Sequence, residues 1–275
     1  MTMRIEKLES TRTLAPLKKL YMSDTTAPLD GMWLFGFVPQ ADHYGLYEGE
    51  SCVGFACVNE EAHLLQFFLD RTHQGQASAV FQSLLRGEEG GRSPVVGAFV
   101  STAEPHYLAL CLDHFPSLKV NALMYQRDAS SAVPARPEAS ERWPLVVMQA
   151  PDKAEVVALA AESTGAPEGW LSGYYDNLLA RGEVFGVRDG ERVIAIGENR
   201  RDDEVQVDCA DLGVIVAPSS RGEGLATHVL RRMAAVNDER GLRSICSTER
   251  GNVAAQKAIS RAGFFAYHRI IHFGR

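Results

Sequence analysis

Three things are scarce in this sequence, and each scarcity excludes a class of protein. No apolar run approaches the roughly 18 residues that a membrane-crossing helix needs, so no membrane partner is expected. The opening residues, Met1-Thr-Met-Arg-Ile-Glu-Lys-Leu-Glu, alternate charged with apolar side chains and hold no signal-peptide core, so cytoplasmic residence is expected. Positive charge is in deficit: 28 Lys and Arg stand against 35 Asp and Glu, a formal net charge of −7. A nucleic-acid partner gripped through its phosphates is therefore not expected. Cysteine is sparse, at five of 275 residues. Cys52, Cys57, Cys111, Cys209 and Cys246 are scattered, odd in number and without metal-ligand or redox spacing, and most lie in apolar segments, so buried free thiols are expected. His268 and His272 have H-x-x-x-H spacing, but residues 267–273 read as a strand, where four residues span roughly 13 Å. That is too far to share an ion, and no metal site is expected.

What is present centres on residues 212–226, Leu-Gly-Val-Ile-Val-Ala-Pro-Ser-Ser-Arg-Gly-Glu-Gly-Leu-Ala. Val214, Ile215 and Val216 form a β-branched run suited to a buried strand. Pro218 cannot donate to a ladder and should end it. Leu225, Val229, Leu230, Met233 and Val236 then recur at helical spacing up to Gly241, a natural left-handed cap. A helix start carries unpaired N–H groups and the positive end of the helix dipole, and so collects anions. Gly222 and Gly224 leave that approach open, and Arg221 adds a permanent forked cation.

The segment Val216-Ala-Pro-Ser-Ser-Arg-Gly-Glu-Gly-Leu-Ala226 resembles the acyl-CoA pyrophosphate loop of the GNAT acetyltransferase superfamily, Q/R-x-x-G-x-G/A. A second block at the expected distance, Asn252-Val-Ala-Ala-Gln-Lys-Ala-Ile-Ser-Arg-Ala-Gly-Phe264, is similar to the closing helix of that fold. Asn252 also suits an N-cap and Gly263 a C-cap on helix grounds alone.

The sequence repeats this plan. Asp189-Gly190 joins two strand-like runs, a strong hairpin signal, and residues 44–58 repeat it around Gly49. The strand-to-helix corner at residues 64–77 then aligns Gln74 with Arg221. Ser101-Thr102 aligns with Ser247-Thr248 at an offset within one residue of the previous one. Residues 127–141, rich in Ser, Ala and Pro and without periodicity, are the linker candidate. The expected fold is α/β with mixed sheets: two tandem GNAT-like domains, each a central mixed sheet flanked by helices. They are placed at 1–128 and 141–275, with a linker at 129–140. The first copy carries Ala77 where the loop wants glycine, and its closing helix at 105–115 lacks the opening Asn and the Gly before Phe115. It is read as a degenerate, mainly structural domain.

The resemblance implies transfer of an acyl group from acetyl-CoA, or another acyl-CoA, to an amine in a ternary complex. By it, Val214, Val216, Arg221, Gly222, Glu223, Gly224, Leu225, Ala226 and Asn252 hold the donor. The Val214 backbone N–H meets the developing oxyanion. Trp170, Tyr174 and Tyr175, on a helix after Pro167, are candidates for the acceptor wall, although such a stripe also suits a core. The base is open. The family's cleft-facing positions correspond to Ala210 and Leu212, which do not titrate. Asp208 shares their face by alternation, Asp211 should face away unless a bulge re-aims it, and Glu249 is a third candidate. The family's acid tyrosine is replaced by Ile259. A non-catalytic acyl-CoA binder is the alternative of another class. A relative using aminoacyl-tRNA is disfavoured by the acidic charge and the intact phosphate corner.

Overall fold

The computed structural model describes residues 3–87, 93–128 and 142–275. The expected linker, 129–140, lies outside them. The chain forms two compact units.

The first unit comprises Met1–Leu123 and His268–Arg275. Its strands are β1 (Arg4–Lys7), β2 (Asp42–Glu48), β3 (Ser51–Val58), β4 (His63–Leu69), β5 (Gly97–Ser101) and, from His268 onward, the last strand of the chain, β12 (Phe264–Gly274). They stand side by side in the order just given. β1 to β4 are antiparallel neighbours, β4 runs parallel to β5, and β12 pairs antiparallel with β5 from Ile270↔Ser101 to Gly274↔Gly97. Helices α1 (Ala15–Asp24), α2 (Ala77–Arg86) and α3 (Pro105–His114) cover the sheet. The strands read as continuous apolar runs because both faces are covered: Leu46, Leu64, Leu69, Phe81 and Leu84 share one core with Ile271 and Phe273, while Leu14, Tyr21, Phe55 and Phe68 share another.

That pairing corrects a boundary. The second domain, placed at 141–275, does not keep the C-terminus: the second compact unit is Met124–Tyr267. The last eight residues join the first unit because β5 supplies their ladder and the first core buries Ile271 and Phe273.

The second unit repeats the plan. β6 (Ser117–Arg127) enters it at Met124. There follow β7 (Val146–Val147), α4 (Lys153–Thr164), α5 (Glu168–Ala180), β8 (Val184–Asp189), β9 (Arg192–Arg201), β10 (Cys209–Val216), α6 (Leu225–Glu239), β11 (Arg243–Glu249) and α7 (Val253–Arg261). β7, β8, β9 and β10 are successive antiparallel neighbours, and β10 runs parallel to β11 with α6 as the crossover. The fold is thus mixed α/β, a mixed sheet with helices in each unit. Both hairpins turn on a left-handed glycine, Gly49 and Gly190, each at φ +59°. Cys57, Cys111, Cys209 and Cys246 are buried and all five cysteines are free. Burial pushes the Cys57 and Cys209 thiols up to about 12, which keeps them protonated. Among the described residues no helix is long and apolar enough to cross a membrane.

One buried acid in the first unit sets a pH dependence. Glu104 accepts hydrogen bonds from the Tyr21 hydroxyl and from the Ser101 backbone N–H (2.7 Å). Burial pushes its carboxyl up to about 7, against the lowering effect of those two donors. A raised folded-state value means that the native chain holds this proton between about pH 4.5 and 7 while the unfolded chain has lost it. Stability from this group therefore falls as pH rises through that window, by on the order of 3 kcal/mol. Urea unfolding at pH 5 and pH 8 should show Glu104→Gln losing most of this slope, and an unchanged slope would assign it to other groups.

Candidate functional site

The ladder between β10 and β11 is short. It pairs Cys209↔Arg243, Ala210↔Ser244 and Asp211↔Ile245 and ends there, while β10 continues to pair with β9 as far as Val216↔Ala195. The Ala217 N–H donates to Ile194 O at 2.9 Å, which fixes the alternation. Odd positions of β10 turn their peptide groups toward β9, and Leu212, Val214 and Val216 turn theirs toward the gap where β11 departs. Backbone groups at such an edge need partners from outside the sheet. A cleft of about 600 Å³ opens here, lined by residues 212–216 of β10, residues 246–248 of β11, the Arg221–Thr227 corner and one side of α7.

The corner itself is built by local rules. Ala217 ends the strand, Pro218–Ser220 form one 3-10 turn, and Arg221 is extended. Gly222 (φ +86°) and Gly224 (φ +92°) follow in the left-handed region that a side chain disfavours. A Cβ at either glycine would meet nothing within 4 Å, so the corner is open rather than plugged. Gly224 is the N-cap of α6 and no side chain caps that helix, leaving its first amides for a ligand. Arg221 is exposed and its Nε donates to Val216 O at 3.1 Å, which holds the guanidinium over the corner. Glu223 turns to Arg142 at 2.5 Å. Leu225 is buried beneath the corner, and Ala226 and Asn252 line the cleft. Asn252 caps α7, accepting from the Ala255 N–H at 3.1 Å. Ile259 lines the same cleft.

Apart from Glu223, which turns to Arg142, the donor-side residues named from the sequence line one cleft, and the candidate bases do not. Asp208 precedes β10, at the end away from the gap, is exposed, and pairs with Arg243 at 2.6 Å. That guanidinium outweighs partial burial and holds its carboxyl below the usual range. Six residues of strand separate it from Val214, roughly 20 Å, so it is out of reach of the cleft. Asp211 is 3 % exposed and bound to Arg200 at 2.6 Å. Glu249 is exposed at the end of β11.

Sequence reading missed the group that captures Asp211. Glu198 and Arg200, two residues apart on β9, share a face with Asp211 across the ladder, and both are buried. Arg200 forms ion pairs with Glu198 and Asp211 and donates to the Tyr174 hydroxyl at 3.1 Å. Tyr174 and Tyr175 donate to the two oxygens of Glu198 at 2.8 and 2.6 Å. Burial raises both phenols far above their usual range. Trp170, 37 % exposed, stacks on Tyr174 with centroids 5.1 Å apart. The three aromatic residues of α5 therefore split: Tyr175 is core, Tyr174 is half-buried, and Trp170 faces outward. The available signal was period-two placement of charge inside an otherwise apolar strand, Val193-Ile-Ala-Ile-Gly-Glu-Asn-Arg200.

The matching corner of the first unit is built differently upstream of its helix. Its 3-10 turn, Arg71–Gln76, is capped by Asp70, whose Oδ1 accepts from the N–H groups of Thr72 (3.0 Å) and His73 (3.2 Å). The Gln74 side chain donates to Leu69 O at 2.5 Å. His73 bridges Asp70 and Glu48, and those carboxylates raise its pKa. The counterparts of the 222–226 amides are at residues 75–79, where the 3-10 turn runs directly into α2 with the Ala77 N–H donating to Gln74 O, and the adjoining cavity is about 20 Å³. The Ala77 methyl, expected to crowd this corner, stands buried at the first residue of α2. Gly75→Asp at this exposed turn should leave acetyl-CoA affinity within about twofold in a titration, and a tenfold loss would place a donor site here.

Among the described residues, no group of three or more His, Cys, Asp or Glu is placed to hold a metal ion.

Comparison with known proteins adds the following. Residues 10–128 match a family described as an acetyltransferase (GNAT) domain, and residues 147–264 match the acetyltransferase (GNAT) family. No curated protein matches the chain. Among solved structures, an acetyltransferase from the GNAT family from Colwellia psychrerythraea is 43% identical. That match covers 98% of this chain and 99% of that one at a TM-score of 0.91. A tandem GNAT protein from the clavulanic acid biosynthesis pathway is 13% identical over 100% of this chain and 98% of that one, with a TM-score of 0.65. A GCN5-related N-acetyltransferase from Sphaerobacter thermophilus is 12% identical over 98% and 94%, with a TM-score of 0.66. The last two share the fold.

Proposed function

The chain belongs to the GNAT acetyltransferase family, with two GNAT domains in tandem, and from that premise we propose that it is an N-acetyltransferase whose working site is the cleft of the second unit. The family implies acetyl transfer dependent on acyl-CoA. The finer reading is direct attack by a primary amine, of a small molecule or a peptide, on bound acetyl-CoA. The observation that carries it is the bare corner of Gly222 and Gly224 at the splayed end of β10.

Each part of the cleft has a task in this reading. The first amides of α6 with Arg221 take the diphosphate, where the helix dipole favours negative charge. Asn252 and the freed edge of β10 from Leu212 to Val216 take the pantetheine arm. The Val214 N–H, turned to the gap, donates to the thioester carbonyl as it becomes an oxyanion; a fixed donor of this kind is worth roughly 10²- to 10³-fold in rate. Acetyl-CoA supplies the acetyl group as a thioester. A thiol leaves at a lower pKa than an amine, so Ile259 in place of a tyrosine removes an acid the leaving group can do without. Trp170 and Tyr174 form the acceptor wall.

Ile259 also favours a second reading, a binder of acyl-CoA that does not turn over. Release of CoA thiol from acetyl-CoA, followed with a panel of primary amines, separates the two. Amine-dependent release is the expected result; tight acetyl-CoA binding with no release from any amine would leave the binder.

A further inference from the structure

The donor-binding reading makes no use of Glu198 or of the Tyr174 hydroxyl, and the family's cleft-facing base positions are Ala210 and Leu212. Three observations set the buried cluster apart from an ordinary structural ion pair. The first is charge. Glu198 and Asp211 are two carboxylates sharing one guanidinium, Arg200, and all three are buried. Burying ions costs several kcal/mol apiece, and an apolar set of equal volume is often no less stable. The second is position. Glu198 lies opposite Gly213 in the β9–β10 register, and a Cβ at Gly213 would stand 3.0 Å from Glu198 Oε2. A side chain at 213 would crowd both the carboxylate and the Arg200 guanidinium, which is also 3.0 Å away, beside the residue that carries the Val214 N–H. The third is direction. The Tyr174 hydroxyl donates to that same Oε2 at 2.8 Å from a half-buried ring stacked on exposed Trp170, so the hydrogen bond runs from an exposed aromatic stack inward.

We propose that Tyr174 and Glu198 form the proton path that deprotonates the acceptor amine. The Tyr174 hydroxyl meets the ammonium and Glu198 receives the proton behind it. The inference rests on the amine-transfer reading above. As an ammonium N–H passes its proton to Tyr174 Oη, the phenolic proton moves to Glu198 Oε2. The cluster then holds a neutral carboxylic acid, and the amine is free to attack. The C–N bond forms as the C–S bond breaks, the remaining surplus proton of the nitrogen leaves with the thiolate as CoA thiol, and Glu198 returns its proton to water. Burial holds the Tyr174 phenol protonated at rest, with Glu198 beside it acting in the same direction, so the ring shuttles a proton rather than storing negative charge. Arg200 orients Glu198, and Asp211 balances Arg200.

The test compares nucleophiles. CoA thiol release is measured for the wild type, Glu198→Gln and Tyr174→Phe, from about pH 7 to 9. The probes are ethanolamine and putrescine, which are protonated there, and hydroxylamine, whose nitrogen is not. Both variants should lose about 10²-fold or more with the alkylamines, most at low pH. They should stay within about threefold of wild type with hydroxylamine and keep acetyl-CoA affinity. Equal losses with both kinds of nucleophile would make the cluster structural and overturn the path, as would unchanged rates with alkylamines. If the wild type binds acetyl-CoA but no amine releases CoA, the transfer reading fails and the path fails with it. Tyr174→Phe lies at the half-buried end of the cluster and carries the same comparison if Glu198→Gln folds poorly.

Discussion

Gly224→Asp should abolish acetyl-CoA binding, with a loss of at least 10²-fold, while the fold survives. Gly224 sits at φ +92° as the N-cap of α6, with nothing within 4 Å of an added Cβ. A side chain there costs roughly 1–2 kcal/mol of backbone strain, and Asp bears that conformation better than most residues. What it adds is a carboxylate over the first amides of α6. That carboxylate competes for those donors and repels a diphosphate in the place where the helix dipole draws anions. A 10²-fold loss corresponds to about 2.7 kcal/mol, within reach of one misplaced charge beside a diphosphate. Gly224→Asn separates the causes, since it keeps shape and strain and removes the charge. Titration with acetyl-CoA should rank wild type, Asn and Asp in falling affinity. Equal affinity for Asn and Asp would mean that charge at the corner does not govern binding.

Arg200→Met should produce the largest loss of stability. The change leaves Glu198 and Asp211 buried without their shared cation, and breaking a buried pair in this way costs about 3–5 kcal/mol. At about 2–4 °C per kcal/mol for a chain of this size, the melting temperature should fall by roughly 6–20 °C. The loss follows from leaving charge unpaired, so removing the charges altogether should undo most of it. The triple variant Arg200→Met, Glu198→Gln, Asp211→Asn should recover at least half of the fall, because a neutral set no longer carries uncompensated charge. Thermal melts of the three proteins check this. A single variant that melts with the wild type would mean that the ion pairs contribute no net stability, and a triple variant as unstable as the single would put packing of the Arg200 stem ahead of its charge.

How far the sequence carried this account depended on whether the cause was local. The hairpin turns at Gly49 and Gly190, the stop ahead of Pro218 and the Asn252 cap of α7 follow from residues within a few positions of one another, and each is where the pattern placed it; Gly263, read as the other cap, stands one residue past the C-cap Ala262. The strand reading of β12 was likewise local, but its partner was not. That Ile270 to Gly274 pair with β5 is a long-range choice, made by the core that buries Ile271 and Phe273. Glu198, Arg200 and Asp211 illustrate the same limit. Alternation puts Glu198 and Arg200 on one face of β9, but only the cross-strand register brings Asp211 to that face. Hence Asp211 read as a candidate base and is a bound counter-ion. Asp208 failed for a simpler reason: alternation gives the face and not the distance along the strand, and the gap opens at the far end of β10. In the first unit Asp70, an Asp ahead of a helical turn, is legible as a cap and takes the Thr72 and His73 amides.

The central claim is that one corner of this tandem chain, at the start of α6, grips the diphosphate of the donor and its counterpart at residues 74–79 does not. Calorimetric titration of the wild type, Gly224→Asp and Gly75→Asp with acetyl-CoA tests it directly. The account predicts one equivalent bound per chain, lost in Gly224→Asp and kept in Gly75→Asp. Two equivalents in the wild type, or binding that survives Gly224→Asp and disappears in Gly75→Asp, would contradict it.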